Sequence, residues 1–388
     1  MRAETSPNTS FNNKSTTQKS PIKVAQIMGK YHGGGVESII FNYYNHLDHN
    51  QVQFDFIFDK DSSNIPKKII KQLNGNIIFV PSYTKLFHYI KTLTKLFKTN
   101  NYNIVHSNIN TLSLFPLYAA KKAGVPIRIA HSHSTSNKKE HFRNLIKNTL
   151  RPFSKIYATH YFACGELAGR YQFGNRAFNS QKVTIIPNAI DFDKFQFNEQ
   201  ARNEIRKKFN ISKDTLVIGH IGRFNTQKNH TFIIDIFHEL HNHNENSILM
   251  LAGSGPLENS IKNKVKKLHL ENNVIFLGQC NYAHRLYSAL DVFILPSLYE
   301  GLPVVGIEAQ ANGLPCVFSD SITKDVSFIK NNVFLSLKDS AKEWSRQISM
   351  LPLTTQRHAM VKNNLNSYYD IKKASNKLLS YYLSKETI

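Results

Sequence analysis

Four stretches in the second half of the chain carry residues able to manage a highly charged leaving group. Gly222-Arg223-Phe224-Asn225-Thr226-Gln227-Lys228-Asn229 brings two cations. Gly253-Ser254-Gly255-Pro256 brings small residues, Gly278 to Tyr282 forms a third loop, and Glu300 and Glu308 stand in a fourth segment, Pro296 to Cys316. Arg223 and Lys228 suit a diphosphate, whose oxygens an arginine can bind two at a time. Gly222, Gly253, Gly255 and Gly301 can bring backbone N–H donors close to phosphate oxygens. Glu308 can accept both hydroxyls of a ribose. Each item alone has a plainer reading, and an isolated arginine is most often a surface ion-pair partner. Together they fit a nucleoside diphosphate.

The elements around these stretches give the reading its geometry. Leu216–Ile221, Ser247–Ala252, Val274–Leu277 and Val292–Leu295 are short apolar runs that read as buried strands. Each is followed by one of the four stretches and then by a helical pattern. Alternating strands and helices imply a parallel sheet, so the four loops share its carboxyl rim, where open α/β sheets bind ligands. Leu302 and Pro303 open the helix holding Glu308, and Asn312-Gly313 stops it. Its free N–H groups suit a phosphate. Beyond Asp320 the pattern fades, with a helical tail from about Leu353.

The first half repeats the plan. Ile22–Met28, Val52–Phe58, Ile77–Val80, Ile104–Ser107, Ile127–Ala130, Tyr157–Ala163 and Val183–Ile186 read as strands. Gly33-Gly34-Gly35 lies between the first strand and a helix over about 36–47, where backbone can approach a ligand. It matches neither a Walker A loop nor GxGxxG. His131 and His133 follow the fifth strand and point to one side of it. They have no third ligand nearby in sequence, and no Asp-x-Asp motif is apparent to hold a divalent metal, so no metal or other cofactor is expected. Two segments mix lysines with apolar residues. In 83–99, Leu86, Ile90, Leu93 and Phe97 share a face opposite Lys91, Lys95 and Lys98; in 138–155, Phe142, Leu145, Ile146, Leu150 and Phe153 are interleaved with basic residues. Either could lie on an anionic membrane or be an ordinary helix with a solvated lysine face.

Composition narrows the classes. The chain has 388 residues, 41% of them hydrophobic, with a formal charge of +22. That is enough for two globular domains with an anionic partner. Three scattered cysteines exclude a CxxC zinc site and fit a reducing compartment. Residues 1–20 are polar, without the apolar core of a signal peptide, and read as a disordered tail. No run approaches the ~18 apolar residues of a membrane span. No RRM, KH or helix-turn-helix pattern supports a nucleic-acid partner.

Gly222-Arg223…Lys228-Asn229, Gly253-Ser254-Gly255-Pro256 and the Glu300…Glu308 spacing resemble the signature of retaining GT-B glycosyltransferases of family GT4. Gly33-Gly34-Gly35-Val36-Glu37 and Ile186-Pro187-Asn188-Ala189-Ile190-Asp191 match as well. Arg128-Ile129-Ala130-His131-Ser132-His133 is similar to the EpsF-like exopolysaccharide branch. The resemblance spans about residues 21 to 370. It implies two Rossmann-like domains facing a cleft: an acceptor-side domain over 21–195 and a nucleotide-sugar domain over 196–369. A final helix, about 370–388, would pack back on the first domain. It further implies that Arg223 and Lys228 hold the diphosphate, Glu308 the ribose, Glu300 the sugar or its surroundings, and that His131 lies beside the sugar. Gly34 and Gly35 would cover the phosphates, with Tyr282, Gly301, Leu302 and Pro303 in the donor site. The expected reaction moves a hexose or N-acetylhexosamine from a UDP-sugar to a saccharide acceptor, lipid-linked, in exopolysaccharide or capsule biosynthesis. The expected place is cytoplasmic, peripheral at the inner membrane face. The competing class is an isomerase, since UDP-sugar 2-epimerases share the architecture and bind the same nucleotide without an acceptor.

Overall fold

In the computed structural model, described over residues 20–31, 33, 35–133, 149–280, 282–353, 357 and 368–386, two parallel sheets organise the chain. The first contains β1 (Ile22–Gly29), β2 (Val52–Asp59), β3 (Asn76–Val80), β4 (Ile104–Ser107), β5 (Ile127–Ser132), β6 (His160–Ala163) and β7 (Val183–Ile185), in the order β3-β2-β1-β4-β5-β6-β7. The second contains β8 (Leu216–Ile221), β9 (Ser247–Ala252), β10 (Val274–Gly278), β11 (Val292–Leu295), β12 (Cys316–Ser319) and β13 (Val333–Leu335), in the order β10-β9-β8-β11-β12-β13. Every strand pair in both is parallel. The architecture is thus α/β with two Rossmann-like domains.

Helices that bear on the site are α1 (Gly35–Asn45), α2 (Leu86–Thr99), α3 (Leu114–Lys122), α4 (His230–His243), α5 (Glu258–Lys267), α6 (Ala283–Ala289), α7 (Val304–Ala311) and α8 (Ile371–Glu386). Strands read as near-continuous apolar runs because both faces are covered. Along β1, Val24 and Met28 enter one core while Ala25 and Ile27 enter the other. Along β11, Phe293 and Leu295 go one way and Val292 and Ile294 the other.

Two features tie the domains together. Ile371, Ala374, Leu378, Leu379 and Tyr382 of α8 belong to the core beneath β1 and β2. The segment 186–190 is gripped from both sides: Tyr43 donates to the Pro187 carbonyl at 2.7 Å, and Asn188 Nδ2 donates to the Leu302 carbonyl at 3.1 Å. Val304, at the start of α7, packs against cores of both domains.

The structure departs from the sequence reading in four places. β6 starts at His160, so Tyr157 and Ala158 precede it. Past Asp320 the order continues with β13 and a helix over Ala341–Ser349, too short and polar to leave a clear period. In 83–99 the buried stripe is Tyr89, Leu93 and Phe97, while Leu86 and Ile90 are only partly covered. Of the 138–155 segment, Phe142, Leu145 and Ile146 lie outside the described residues, as does the tail through residue 19; Arg151–Lys155 is a tight 3₁₀ turn with Phe153 exposed.

Candidate active site

In the second sheet the strand order reverses between β8 and β11, leaving a crevice at their carboxyl ends. The β8 loop supplies Arg223 and Lys228, and the β11 loop supplies Glu300. Lys228 Nζ and Glu300 Oε1 meet across the crevice at 2.6 Å, both largely shielded from solvent. The other Glu300 oxygen accepts from Gln227 Nε2 at 3.2 Å, and the Gln227 carbonyl takes the Leu298 N–H at 2.8 Å. Asn225 Oδ1 caps the turn by accepting from Lys228 N, and Asn229 takes a left-handed φ of 56° before α4 begins. Arg223 is exposed and enters no ion pair among the described residues. Beneath the loop, burial holds His220 neutral and lowers His230 to about 4, so neither adds charge near neutral pH.

Two of the rim glycines have their N–H groups engaged within the protein. Gly222 N donates to the Ala252 carbonyl at 2.9 Å and Gly253 N to the Gly278 carbonyl at 2.8 Å, so both donors are committed within the protein. A Cβ on Gly253 would stand 2.0 Å from the Gly222 carbonyl oxygen, and one on Gly255 would stand 2.4 Å from the Phe224 carbonyl oxygen. These residues let the β8 and β9 loops lie backbone against backbone. The first N–H groups of α7, which starts at Val304 after Pro303 with Gly301 and the buried Leu302 before it, have no partner within the helix and could serve an anion.

Glu308 sits on α7, where Tyr287 of α6 donates to its Oε2 at 2.7 Å. Its surface is only partly covered, but dense protein around the carboxyl raises its pKa to about 7; desolvation outweighs the Tyr287 hydrogen bond and the attraction of Lys194. Tyr282 precedes α6 with Lys208 Nζ 5.7 Å from its ring centroid, and no hydrogen bond links it to Lys228, Glu300 or Glu308.

The first sheet reverses between β1 and β4. Gly33 there has a φ of +63°, and a Cβ on Gly35 would meet nothing within 4 Å. The loop is open, and Gly34 lies outside the described residues. Glu37 falls in the first turn of α1. His131, one strand further along, is buried with its ring 3.9 Å from that of His133. Its Nδ1 meets His106 Nε2 at 3.0 Å, and His106 Nδ1 meets the Tyr382 hydroxyl at 2.7 Å. Burial lowers all three histidines, His106 and His133 to about 3.

Asp-x-Asp spacings do occur away from the donor rim. Asp61 pairs with Lys30 at 2.7 Å, Asp193 with Lys372 at 2.7 Å, and Asp191 caps a helix start. Among the described residues no group of three or more His, Cys, Asp or Glu is placed to hold a metal ion.

Comparison with known proteins identifies the family. The "Glycosyltransferase Family 4" model matches residues 33–194, and "Glycosyl transferases group 1" matches 201–366. A Bacillus subtilis (strain 168) protein named as the glycosyltransferase EpsF is 34% identical over 371 residues, covering 93% of this chain and 96% of its own. The chain is a family-4 glycosyltransferase. An Escherichia coli UDP-Gal:alpha-D-GlcNAc-diphosphoundecaprenol alpha-1,3-galactosyltransferase is 26% identical, covering 82% of this chain and 84% of its own. Among solved structures, the Anabaena protein HepE in complex with UDP and glucose superposes with a TM-score of 0.76 at 16% identity, over 94% of this chain and 100% of that one. That likeness carries the GT-B fold.

Within this glycosyltransferase, several residues at the site had not been singled out from sequence. Gln227 is the second partner of Glu300 and Tyr287 the holder of Glu308, and neither has a spacing that marks it. Asn188, inside the 186–191 match, binds the Leu302 carbonyl. Gln26, His106 and Asn108 join His131 only through the sheet; the one trace in the sequence was a polar end on the β4 run.

Proposed function

We propose that this glycosyltransferase moves a hexose or N-acetylhexosamine from a UDP-sugar to a lipid-linked saccharide, with retention of configuration and without a metal, in exopolysaccharide or capsule biosynthesis. The observation that carries the reading is the Lys228–Glu300 pair at the switch point, with Arg223 exposed on the same loop and the α7 N-terminus beside it. In the reaction the bond from the sugar's anomeric carbon to the diphosphate breaks and a bond to the acceptor hydroxyl oxygen forms. The hydroxyl proton leaves with the diphosphate. Positive charge grows on the sugar and negative charge on the leaving group. Fixed cations and helix N–H groups stabilise that leaving group most when its charge is greatest. A diphosphate competes with Glu300 for Lys228, and Glu300, once released, turns to the sugar. Glu308 accepts the ribose hydroxyls.

UDP as the nucleotide is supported by the bound ligand of the Anabaena neighbour and by the Escherichia coli relative's name, and the latter also supports a lipid-linked acceptor. Polysaccharide assembly is supported by the relatives too, among them a capsular polysaccharide glycosyltransferase of Staphylococcus aureus. No described helix is long and apolar enough to cross a membrane. Contact at the inner face is supported by α2 and α3, where Lys91, Lys95, Lys98 and Lys122 surround a shallow groove with Phe87 at 92% exposure.

The test incubates the enzyme with UDP-sugars, with and without a lipid-linked saccharide, and follows UDP release and the anomeric signals by NMR. Acceptor-dependent release, an unchanged anomeric configuration and full activity in EDTA are expected. Epimerised sugar formed without acceptor would move the enzyme to the isomerase class, and failure to sediment with anionic vesicles at low salt would remove the membrane contact.

A further inference from the structure

The chain of hydrogen bonds behind His131 has a direction, and that direction decides what His131 can do. Gln26 Nε2 reaches the Tyr382 hydroxyl at 3.2 Å, and Asn108 Nδ2 reaches Gln26 Oε1 at 2.9 Å. Asn108 Oδ1 faces His133 Nε2 at 3.2 Å. Tyr382 faces His106, and His106 faces His131, as given above. The Tyr382 hydroxyl could accept from both Gln26 and His106, but its own buried proton would then have no acceptor; with every group paired, the chain admits two polarities, with all bonds reversed together.

Met28 chooses between them. Its sulfur lies 3.8 Å from Asn108 Nδ2. A thioether has no proton to give and accepts weakly, so the atom facing it must be the amide N–H₂. Asn108 then donates to Gln26, and Gln26 donates to Tyr382. The tyrosine's own proton goes to His106 Nδ1. His106 carries its proton on Nε2 and donates it to His131 Nδ1. His131 is left with its proton on Nε2, an atom that is buried and has no partner among the described residues. His133 comes out the opposite way. It donates from Nε2 to Asn108, and its buried Nδ1 is an acceptor without a partner.

We infer that the C-terminal helix sets the chemistry of the N-terminal rim: Tyr382, acting through His106, fixes His131 as a neutral Nε2–H hydrogen-bond donor for an oxygen of the bound sugar. Tyr382 and His106 are positioning residues in this scheme. A buried donor without a partner is costly, and a ligand oxygen removes that cost. His133, its ring packed at a tilt against His131, offers the complementary acceptor. One sugar hydroxyl can accept from one group and donate to another, so the two rings together suit a hydroxyl better than a carbonyl or a phosphate. In this scheme His131 is not a general base, since its unpaired nitrogen already carries the proton. It also gives the C-terminal helix a second role: the tyrosine that fills the first domain's core supplies the proton that orients His106. The tautomer rests on geometry alone, whereas the identity of its partner as a sugar rests on the transferase reading above.

The experiment is long-range ¹H–¹⁵N correlation of the full-length protein with labelled histidines, which reads each ring's tautomer directly. His106 and His131 are expected as Nε2–H tautomers near neutral pH. Tyr382→Phe keeps the buried ring but removes its hydroxyl, so it should shift His106 and His131 toward Nδ1–H and, because Gln26 Nε2 loses its partner, lower the melting temperature while the protein stays folded. With it, kcat should fall more than the donor KM rises. An Nδ1–H tautomer at His131 in the parent would overturn the inference without needing any variant. So would an unchanged His131 signal in a folded Tyr382→Phe protein. If the tautomers come out as stated but no sugar is transferred, the functional reading fails and the relay stands. Turnover with Nδ1–H at His131 is the reverse case.

Discussion

The two switch points are built on one topology and filled with opposite chemistry. The rim between β8 and β11 is charged, with Lys228 and Glu300 paired at 2.6 Å and the neighbouring loops locked backbone to backbone through Gly253 and Gly255. The rim between β1 and β4 has an open glycine loop, and the strand beyond it carries neutral buried histidines. A leaving diphosphate needs fixed cations whose cost of organisation is met during folding. A sugar needs directional donors and acceptors without net charge. On the function proposed above, the difference means that the cleft divides the work, with charge on one wall and hydroxyl recognition on the other.

The sharpest way to break this comparison is to remove the charge from the second wall. Arg223→Ala and Lys228→Ala should each lower kcat/KM by roughly 10²–10³-fold, the effect typical of losing one charge-stabilising group. They should differ in stability. Arg223 is exposed and enters no ion pair, so its loss should leave the melting curve unchanged. Removing Lys228 strands Glu300 in a shielded site with only Gln227, at a cost of about 1–3 kcal/mol. Near-parent turnover in either variant would end the division of labour between the walls.

The glycines give a second contrast of smaller size. Gly253→Ala forces a Cβ against the Gly222 carbonyl at a φ of +134°, and should destabilise the domain by about 1–3 kcal/mol in urea melts. Gly35→Ala has open space and begins a helix, so stability should hold within about 0.5 kcal/mol while the donor KM rises. If Gly35→Ala leaves KM untouched, no phosphate passes close to that backbone. If Gly253→Ala is silent in the melt, the loops are not locked as described.

This asymmetry also explains what was legible in the sequence. The strand–loop–helix alternation marked both sheets, because strands covered on both faces leave unbroken apolar runs. Arg223, Lys228, Glu300 and Glu308 could be singled out because each lies in a loop or helix next to its strand, and the chemistry is carried by the residue types. On the other wall the working unit is a chain assembled from β1, β4, β5 and α8, with Gln26 and Tyr382 separated by 356 positions. No local spacing encodes such a contact. Small residues in a loop look the same in sequence whether they admit a ligand or another loop, so the bonds of Gly222 N and Gly253 N to the Ala252 and Gly278 carbonyls were not legible there.

The smallest effect separates the walls by pH. The first wall's histidines stay neutral from mildly acidic to alkaline pH, so it should not titrate there. On the second wall Glu308 has a pKa of about 7 against 4.5 for an ordinary glutamate. The native state therefore keeps this proton to higher pH than the unfolded chain does. The stability it contributes is full below about 4.5 and is lost as pH rises through about 7. Binding runs the other way. Ribose hydroxyls donate to the ionised carboxylate, so affinity for a UDP-sugar, whose diphosphate does not titrate near neutrality, should rise with pH up to about 7 and then level off. The slope can reach tenfold per unit and no more, because one proton is involved. Glu308→Gln should bind more weakly and show a flat profile, measured by titration calorimetry between pH 5.5 and about 8.5. A sloping profile that survives in Glu308→Gln would place the titrating group elsewhere, and unchanged affinity in that variant would take the ribose away from Glu308.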